Sequence, residues 1–277
     1  MAQGNSGEYV HGTHRSEQER LALMNEILNA RTVAEVPVRT GDRVLDVGSG
    51  LGQMSLAMAK VAGGGGMVVG VERSVEQIAR ANVLCAETRV DAPIDFREGD
   101  AHALPLAPDE LGRFDLAFAR FLLEHVPDPL GVVKQMLRAV RPGGIVVLAD
   151  DDHEMLKLHP EPEGFGEFWR GYMQLYSRVG NDPIIGRRLV QLLHQAGGQP
   201  RRNSLVWFGG CSGDPMFGAV VFNLIEIVRG AAERMIAQGL VTDAQADSCI
   251  AGLRAFVDRP DGAVWYAMSL AIAERPL

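Results

Sequence analysis

Short apolar runs alternate with longer stretches of helical apolar spacing through the first half of the chain. The runs predict strands at about 43–48, 67–72, 94–98, 114–119 and from Ile145 to about Asp150. The stretches between them predict helices at 52–62, from Ser74 to about Glu87, and from Asp128-Pro129 to about Val140. Ser74-x-x-Gln77 caps the second of these helices, and Asp128-Pro129 sets a cap residue before proline at the first helical position. Ser16-x-x-Glu19 caps an earlier helix to about Ala30, with Leu21, Leu23, Met24, Ile27 and Leu28 on its buried side. Gly63 to Gly66 form a linker, expected to be a flexible loop. Such alternation calls for a parallel sheet covered on both faces.

Beyond residue 152 the alternation weakens. Residues 162–178 and 183–196 read as helices, and 203–209 as a sixth strand. Asp214-Pro215 opens a long helix on which Met216, Phe217, Val220, Val221, Leu224, Ile225 and Val228 keep helical spacing. Thr242-x-x-Gln245 caps another helix to about Val257, and a last strand follows at about 263–273. Residues 153–181 and 214–259 are thus expected to be helical insertions at one edge of the core.

The first strand runs into the chain's most informative segment, Val44-Leu-Asp-Val-Gly-Ser-Gly-Leu-Gly52. Glycines at spacing two let the backbone turn sharply and approach a ligand. The helix that follows aims free N–H groups at it. Glu72 closes the second strand and could accept hydrogen bonds from a ribose diol. A dinucleotide fingerprint, G-x-G-x-x-G, would need glycine at 53, where the chain has Gln53. Asp46, near the strand's carboxyl end, would repel a pyrophosphate and attract an ammonium or sulfonium. S-adenosylmethionine carries both cations and no phosphate.

These residues resemble the cofactor motif of class I S-adenosylmethionine-dependent methyltransferases. Gly99-Asp100-Ala101 resembles that family's adenine-contacting step, and Phe114 to Ala119 its fourth strand. Leu123-Glu-His-Val-Pro-Asp-Pro129 and Arg141-Pro-Gly-Gly144 resemble segments of the subgroup that includes ubiquinone- and menaquinone-pathway enzymes. The resemblance is specific over about 40–150 and weaker on either side. It implies an α/β fold: a Rossmann-like doubly wound seven-stranded sheet, six strands parallel and the last antiparallel, with helical cap insertions. It also implies one methyltransferase domain over 1–277, with an N-terminal lid helix at 1–30 and a cofactor-binding core at 40–152.

Within that frame Gly48, Ser49 and Gly50 approach the methionine half of the cofactor, and Glu72 holds the ribose. Arg73 lies along the adenine face or at the surface. Asp100 and Ala101 read the adenine. Backbone carbonyls at Arg120-Phe121 meet the ammonium. Tyr9, before the first helix, is a lid candidate. His125 could be a general base, its ordinary pKa lying near neutrality, or a structural histidine bonded to a loop. His153 is a second base candidate. Glu124 reads as structural. Trp169, Tyr172, Tyr176, Asn181 and Trp207 are acceptor-binding candidates at the junction of insertion and core. Such aromatic stripes are more often plain core.

Asp150-Asp151-Asp152 is unusual, because three adjacent carboxylates repel one another and something must offset them. A divalent metal is one answer. Metal-dependent catechol-type relatives would need a partner Asp after strand four, and Arg120-Phe-Leu-Leu123 supplies none. No metal is therefore expected.

Composition narrows the partners. A net charge of −8 gives a phosphate backbone no docking surface. The nucleic-acid aminomethylases' Asn/Asp-Pro-Pro-aromatic loop is also missing after strand four. Three scattered cysteines, Cys85, Cys211 and Cys249, suit a reducing cytoplasm. The first twenty residues are polar, without the apolar core of a signal peptide, and no apolar run approaches a membrane span. The expected activity is methyl transfer to an O or N nucleophile of a small molecule, in a cytoplasmic protein that could pair through the helix at 216–228. The competing readings are a nicotinamide oxidoreductase, disfavoured by Gln53 and Asp46, and a non-catalytic cofactor-binding protein.

Overall fold

The computed structural model describes residues 28–214 and 217–277. Tyr9, most of the Ser16-capped helix, Pro215 and Met216 lie outside the described residues. The described chain runs α1 (28–35), β1 (Arg43–Val47), α2 (Gln53–Ala62), β2 (Met67–Glu72), α3 (Val75–Glu87), β3 (Ile94–Glu98), β4 (Phe114–Arg120), α4 (Pro129–Ala139) and β5 (Val140–Asp150). It continues through β6 (Lys157–His159), α5 (Phe165–Arg178), α6 (Leu189–Gln195), β7 (Gln199–Trp207), β8 (Gly210–Cys211), α7 (Phe217–Ala237), α8 (Asp243–Val257), β9 (Ala263–Trp265) and β10 (Ala267–Glu274).

Seven strands form one sheet in the order β3-β2-β1-β4-β5-β10-β7. β1 pairs in parallel with β2 and β4, and β10 runs antiparallel to both β5 and β7. This is the expected arrangement of six parallel strands and one antiparallel strand. Side chains alternate between two cores, as a pleated strand requires. Leu45, Val47, Val69 and Val71 pack with Val132, Val133 and Met136 of α4 and Leu192 of α6. Val44, Val68, Leu116 and Phe118 pack with Met54 and Met58 of α2 and Leu28 of α1. The strand order reverses between β1 and β4, which opens a crevice beyond their carboxyl ends.

The cap signals act as expected. Ser74 Oγ accepts from the Gln77 amide, Asp128 from Gly131, and Thr242 and Gln245 make a reciprocal capping box. α5, α7 and α8 gather around a third core containing Phe165, Phe168, Leu175, Val221, Leu224, Leu253 and Phe256.

Several boundaries move for steric reasons. Residues 63–65 form a 3₁₀ turn rather than an open loop. A Cβ on Gly66 would lie 2.6 Å from the Asp42 carbonyl, so close backbone approach requires that glycine. The helix expected over 183–196 is a 3₁₀ turn at Ile185–Arg188 followed by α6. There Gly186 donates its amide to the Asp151 carbonyl at 2.8 Å, a tether a regular helix could not keep. The last strand divides at Tyr266: β9 joins β6 and β8 in a small antiparallel sheet, and β10 enters the main one. β6 and β8 span only three and two residues, too short for periodicity to reveal.

Gly52, at φ 75°, begins α2, and a Cβ there would sit 2.6 Å from Phe96 Cζ and 2.9 Å from Ala81 Cβ. Gly52→Ala should destabilise the protein by roughly 2–4 kcal/mol through left-handed strain and overpacking. Urea denaturation checks this; an unchanged midpoint would show that the turn can relax.

Candidate active site

The β1–α2 turn is anchored by Gly48 and Ser49, whose amides donate to the Val71 carbonyl at 2.8 and 3.0 Å. Gly48 and Gly50 hold φ of 73° and 54°, where a side chain would be strained. A Cβ on Gly48 would stand 3.1 Å from Leu122 Cδ1, so the turn and the loop after β4 touch. Glu72 is nearly buried. Its Oε1 accepts from the amides of Arg73 (2.9 Å) and Ser74 (3.0 Å), and its Oε2 from Gly50 (3.1 Å). Three donors fix the carboxylate and leave acceptor capacity on Oε2 for a hydroxyl. Ser49 Oγ is buried with no hydrogen-bond partner among the described residues and turns toward Gly70 on β2.

Asp46 also turns inward. It accepts from Ser55 Oγ at 2.5 Å, and burial pushes its carboxyl up to about 6 against the opposing pull of Ser55 and Arg120. It therefore faces α2, and Arg120 offsets its field. Asp100 is exposed past β3. Its Oδ1 takes the His102 amide at 2.8 Å, a bond that holds its carboxyl below the usual range. Ala101 beside it is half-buried, and Arg73 is exposed.

Phe121, at φ 51°, is the non-glycine residue that adopts a left-handed conformation among the described residues. Its neighbours explain how. Asp150 Oδ2 accepts from the amides of Leu122 (3.2 Å) and Leu123 (2.8 Å), and Oδ1 from Asp151 (3.1 Å). Arg120 is half-buried with its guanidinium 5.4 Å from the Phe121 ring centre, and desolvation lowers it to about 10 while Asp46 and Asp151 resist.

The acidic run is offset carboxylate by carboxylate. Asp150 takes backbone amides, Asp151 bonds the Tyr266 hydroxyl, and Asp152 grips Arg187 through Nε (2.6 Å) and Nη2 (2.7 Å). Among the described residues no group of three or more His, Cys, Asp or Glu is arranged to hold a metal ion.

Beyond the Leu122 loop a polar cluster sits against α5. Glu124 is 4% exposed and stands between two histidines. Its Oε1 is 3.4 Å from His125 Nε2, and its Oε2 is 3.3 Å from His153 Nε2. Asn181 Nδ2 lies 3.2 Å from His125 Nδ1. The His153 ring meets Trp169, Tyr172 and Tyr176 edge-on at 5.7, 5.6 and 4.9 Å. Trp169 Nε1 donates to the His153 carbonyl at 2.8 Å, which pins α5 to the end of β5. Burial pushes Glu124 up to about 8, with Asp182 adding to it, lowers His153, and raises Tyr176 well above the ordinary phenol range.

The structure therefore brings together His125, His153, Trp169, Tyr172, Tyr176 and Asn181. Trp207 stays apart, 42% exposed on the edge strand, with its carbonyl bonded by Arg31. Phe208 turns inward in its place and meets Tyr266 edge-on at 4.3 Å. Glu124 and Tyr266 were not among the site residues read from sequence. Adjacency to His125 was the one available signal for Glu124; Tyr266 sits in a strand-like run and carried none.

Comparison with known proteins decides the family. The family described as a methyltransferase domain matches residues 39–179, half of the chain. This chain belongs to that methyltransferase family. Its cofactor is S-adenosylmethionine. The 27-O-demethylrifamycin SV methyltransferase of Amycolatopsis mediterranei is 36% identical over 56% of this chain, and the match spans only 53% of that relative's length. A demethylmenaquinone methyltransferase of Desulfitobacterium hafniense is 29% identical over 68% of this chain and 74% of its own. Geranyl diphosphate methyltransferase, solved with SAM, shares the fold at a TM-score of 0.53 and 18% identity, over 94% of this chain and 88% of that one.

The crevice fits the family's cofactor. Gly48 and Gly50 put no side chain of their own on the turn, and the fixed Glu72 carboxylate would offer an acceptor to a hydroxyl of that cofactor. Among the described residues no helix is long and apolar enough to cross a membrane.

The buried acids make stability pH-dependent. Glu124 ordinarily ionises near 4.5 but is raised to about 8 in the fold. The native state thus keeps a proton that the unfolded chain releases. That contribution is full below about pH 4.5 and is lost as pH rises through about 8. Glu124→Gln, neutral throughout, should gain on the wild type by on the order of 3 kcal/mol between pH 5.5 and 8.5. Thermal unfolding at the two pH values measures it, and a gap that does not widen with pH would contradict the assignment.

Proposed function

We propose that this chain transfers a methyl group from S-adenosylmethionine to an oxygen or nitrogen nucleophile of a small molecule. The observation that carries this reading is the contact of Gly48 with Leu122. It joins the cofactor turn to the loop bearing Glu124 and His125, so the cofactor's reacting end and the histidine cluster share one wall. The names of the relatives support a small-molecule acceptor, and the rifamycin enzyme's name specifies an oxygen. The net charge of −8 and the acids around the cluster disfavour a nucleic acid.

In this reading Gly48 and Gly50 admit the methionine half, and Glu72 holds the ribose. Asp100 and Ala101 contact the adenine with Arg73 at the rim, and the backbone at Arg120-Phe121 takes the ammonium. When bound, the cofactor supplies an electrophilic methyl group. The chain aligns the acceptor and excludes water. Trp169, Tyr172, Tyr176 and Asn181 wall the acceptor side, and His125 or His153 receives the acceptor's proton.

Glu72→Ala removes the charge-assisted acceptor and should weaken S-adenosylhomocysteine binding by about tenfold or more in calorimetry. Unchanged affinity would sink the cofactor assignment.

A further inference from the structure

The methyl-transfer reading leaves two histidines as candidates for one proton. Resting on that reading, the geometry points to Glu124 as a positioning residue that fixes the tautomers of both rings and leaves Nδ1 of His153 to take the acceptor's proton.

The contacts of His125 commit both of its nitrogens. Asn181 offers an amide N–H to Nδ1 at 3.2 Å, so Nδ1 presents its lone pair. Nε2 then carries the hydrogen and faces Glu124 Oε1 at 3.4 Å. His153 differs in one respect. Its Nε2 faces the other oxygen of the same carboxylate at 3.3 Å, but neither ring nitrogen makes a hydrogen bond among the described residues. A carboxylate offers only lone pairs, so it draws the Nε2–H form of both rings. His153 is left with an accepting Nδ1 that no group among the described residues fills. Asp151 Oδ1 and Asn181 Oδ1 are likewise buried without hydrogen-bond partners among the described residues. Unfilled polar atoms in one buried cluster suit a site completed by a protic ligand.

The proton count closes. The acceptor's O–H or N–H bond breaks and its proton passes to His153 Nδ1; its electron pair forms the bond to the methyl carbon, while the methyl–sulfur bond breaks and leaves its pair on the departing, now neutral sulfur. The imidazolium so formed faces the Glu124 carboxylate, which stabilises it as a buried counter-ion.

The groups facing Glu124 are His125 on its own loop, His153, Asp150 and Asp151 at the end of β5, Tyr176 on α5, Asp182 after it, and Tyr266 before β10. Burial and the neighbouring Asp182 raise Glu124 to about 8, so the doubly accepting carboxylate forms as pH passes that value.

The test is nitrogen NMR of the full chain, labelled at histidine and saturated with S-adenosylhomocysteine. Above about pH 8 both His125 and His153 should be Nε2–H tautomers, with a titration step near the Glu124 value. Glu124→Gln has one oxygen and one amide group, so it can accept from only one ring. One histidine should switch to the Nδ1–H form, and the step should vanish. Asn181→Leu, which leaves Glu124 in place, should alter the His125 signals and spare His153. A protonated His153 Nδ1 in the wild type overturns the assignment, as do histidine tautomers unmoved by Glu124→Gln. If wild-type protein fails to bind S-adenosylhomocysteine, the methyl-transfer reading falls instead, a separate outcome seen in the same titration.

Discussion

The site depends on one buried carboxylate reading its neighbour's backbone. Asp150, at the end of β5, accepts the amides of Leu122 and Leu123 beyond the end of β4. This crosslink turns the chain at Phe121, whose left-handed conformation costs about 1–3 kcal/mol and persists only where the surroundings over-determine it. Leu122 is thereby pressed against Gly48, and the next residues, Glu124 and His125, are delivered to α5. Without the crosslink the glycine turn and the histidine cluster would be separate features of two loops.

Around this point the protein concentrates acids and disposes of each differently. Asp46 has a serine hydroxyl, Asp150 backbone amides, Asp151 a tyrosine, Asp152 a guanidinium, and Glu124 two imidazoles at hydrogen-bond reach or just beyond. Arg120 is a half-buried cation among them, and the charges of Asp46 and Asp151 oppose its desolvation. Burial raises Asp46, Asp151 and Glu124 toward neutrality, so the crevice can hold and release protons near physiological pH. An environment of this kind favours ligands that bring hydrogen-bond donors or positive charge. It disfavours phosphates, in keeping with the absence of a third glycine at Gln53.

Much of the architecture was legible because it is local. Strand and helix periods, the caps at Ser74, Asp128 and Thr242, and the glycine turn are each written within a few residues, and the core strands stand where those signals put them. Elements that answer to distant partners were not legible. Gly186 needs a carbonyl of Asp151, Gly66 needs room for that of Asp42, and the three short strands of the small sheet exist only because residues 157–159, 210–211 and 263–265 meet. The acidic run shows the same divide. Its repulsion was plain in the sequence, but its three different remedies lie in the β4 loop, at Tyr266 and at Arg187.

The sequence by itself determined the sheet-and-helix alternation, the glycine crevice with its following carboxylate, and the membership those imply, because short-range sterics and hydrogen bonding dictate them. Only the tertiary structure decided that Glu124 spans two histidines, that Trp207 stays outside while Phe208 and Tyr266 turn in, and that Asp46 faces Ser55. Those outcomes depend on which buried polar groups meet after folding. Desolvation makes each unmatched charge costly, so partners far apart in sequence settle the geometry of the site.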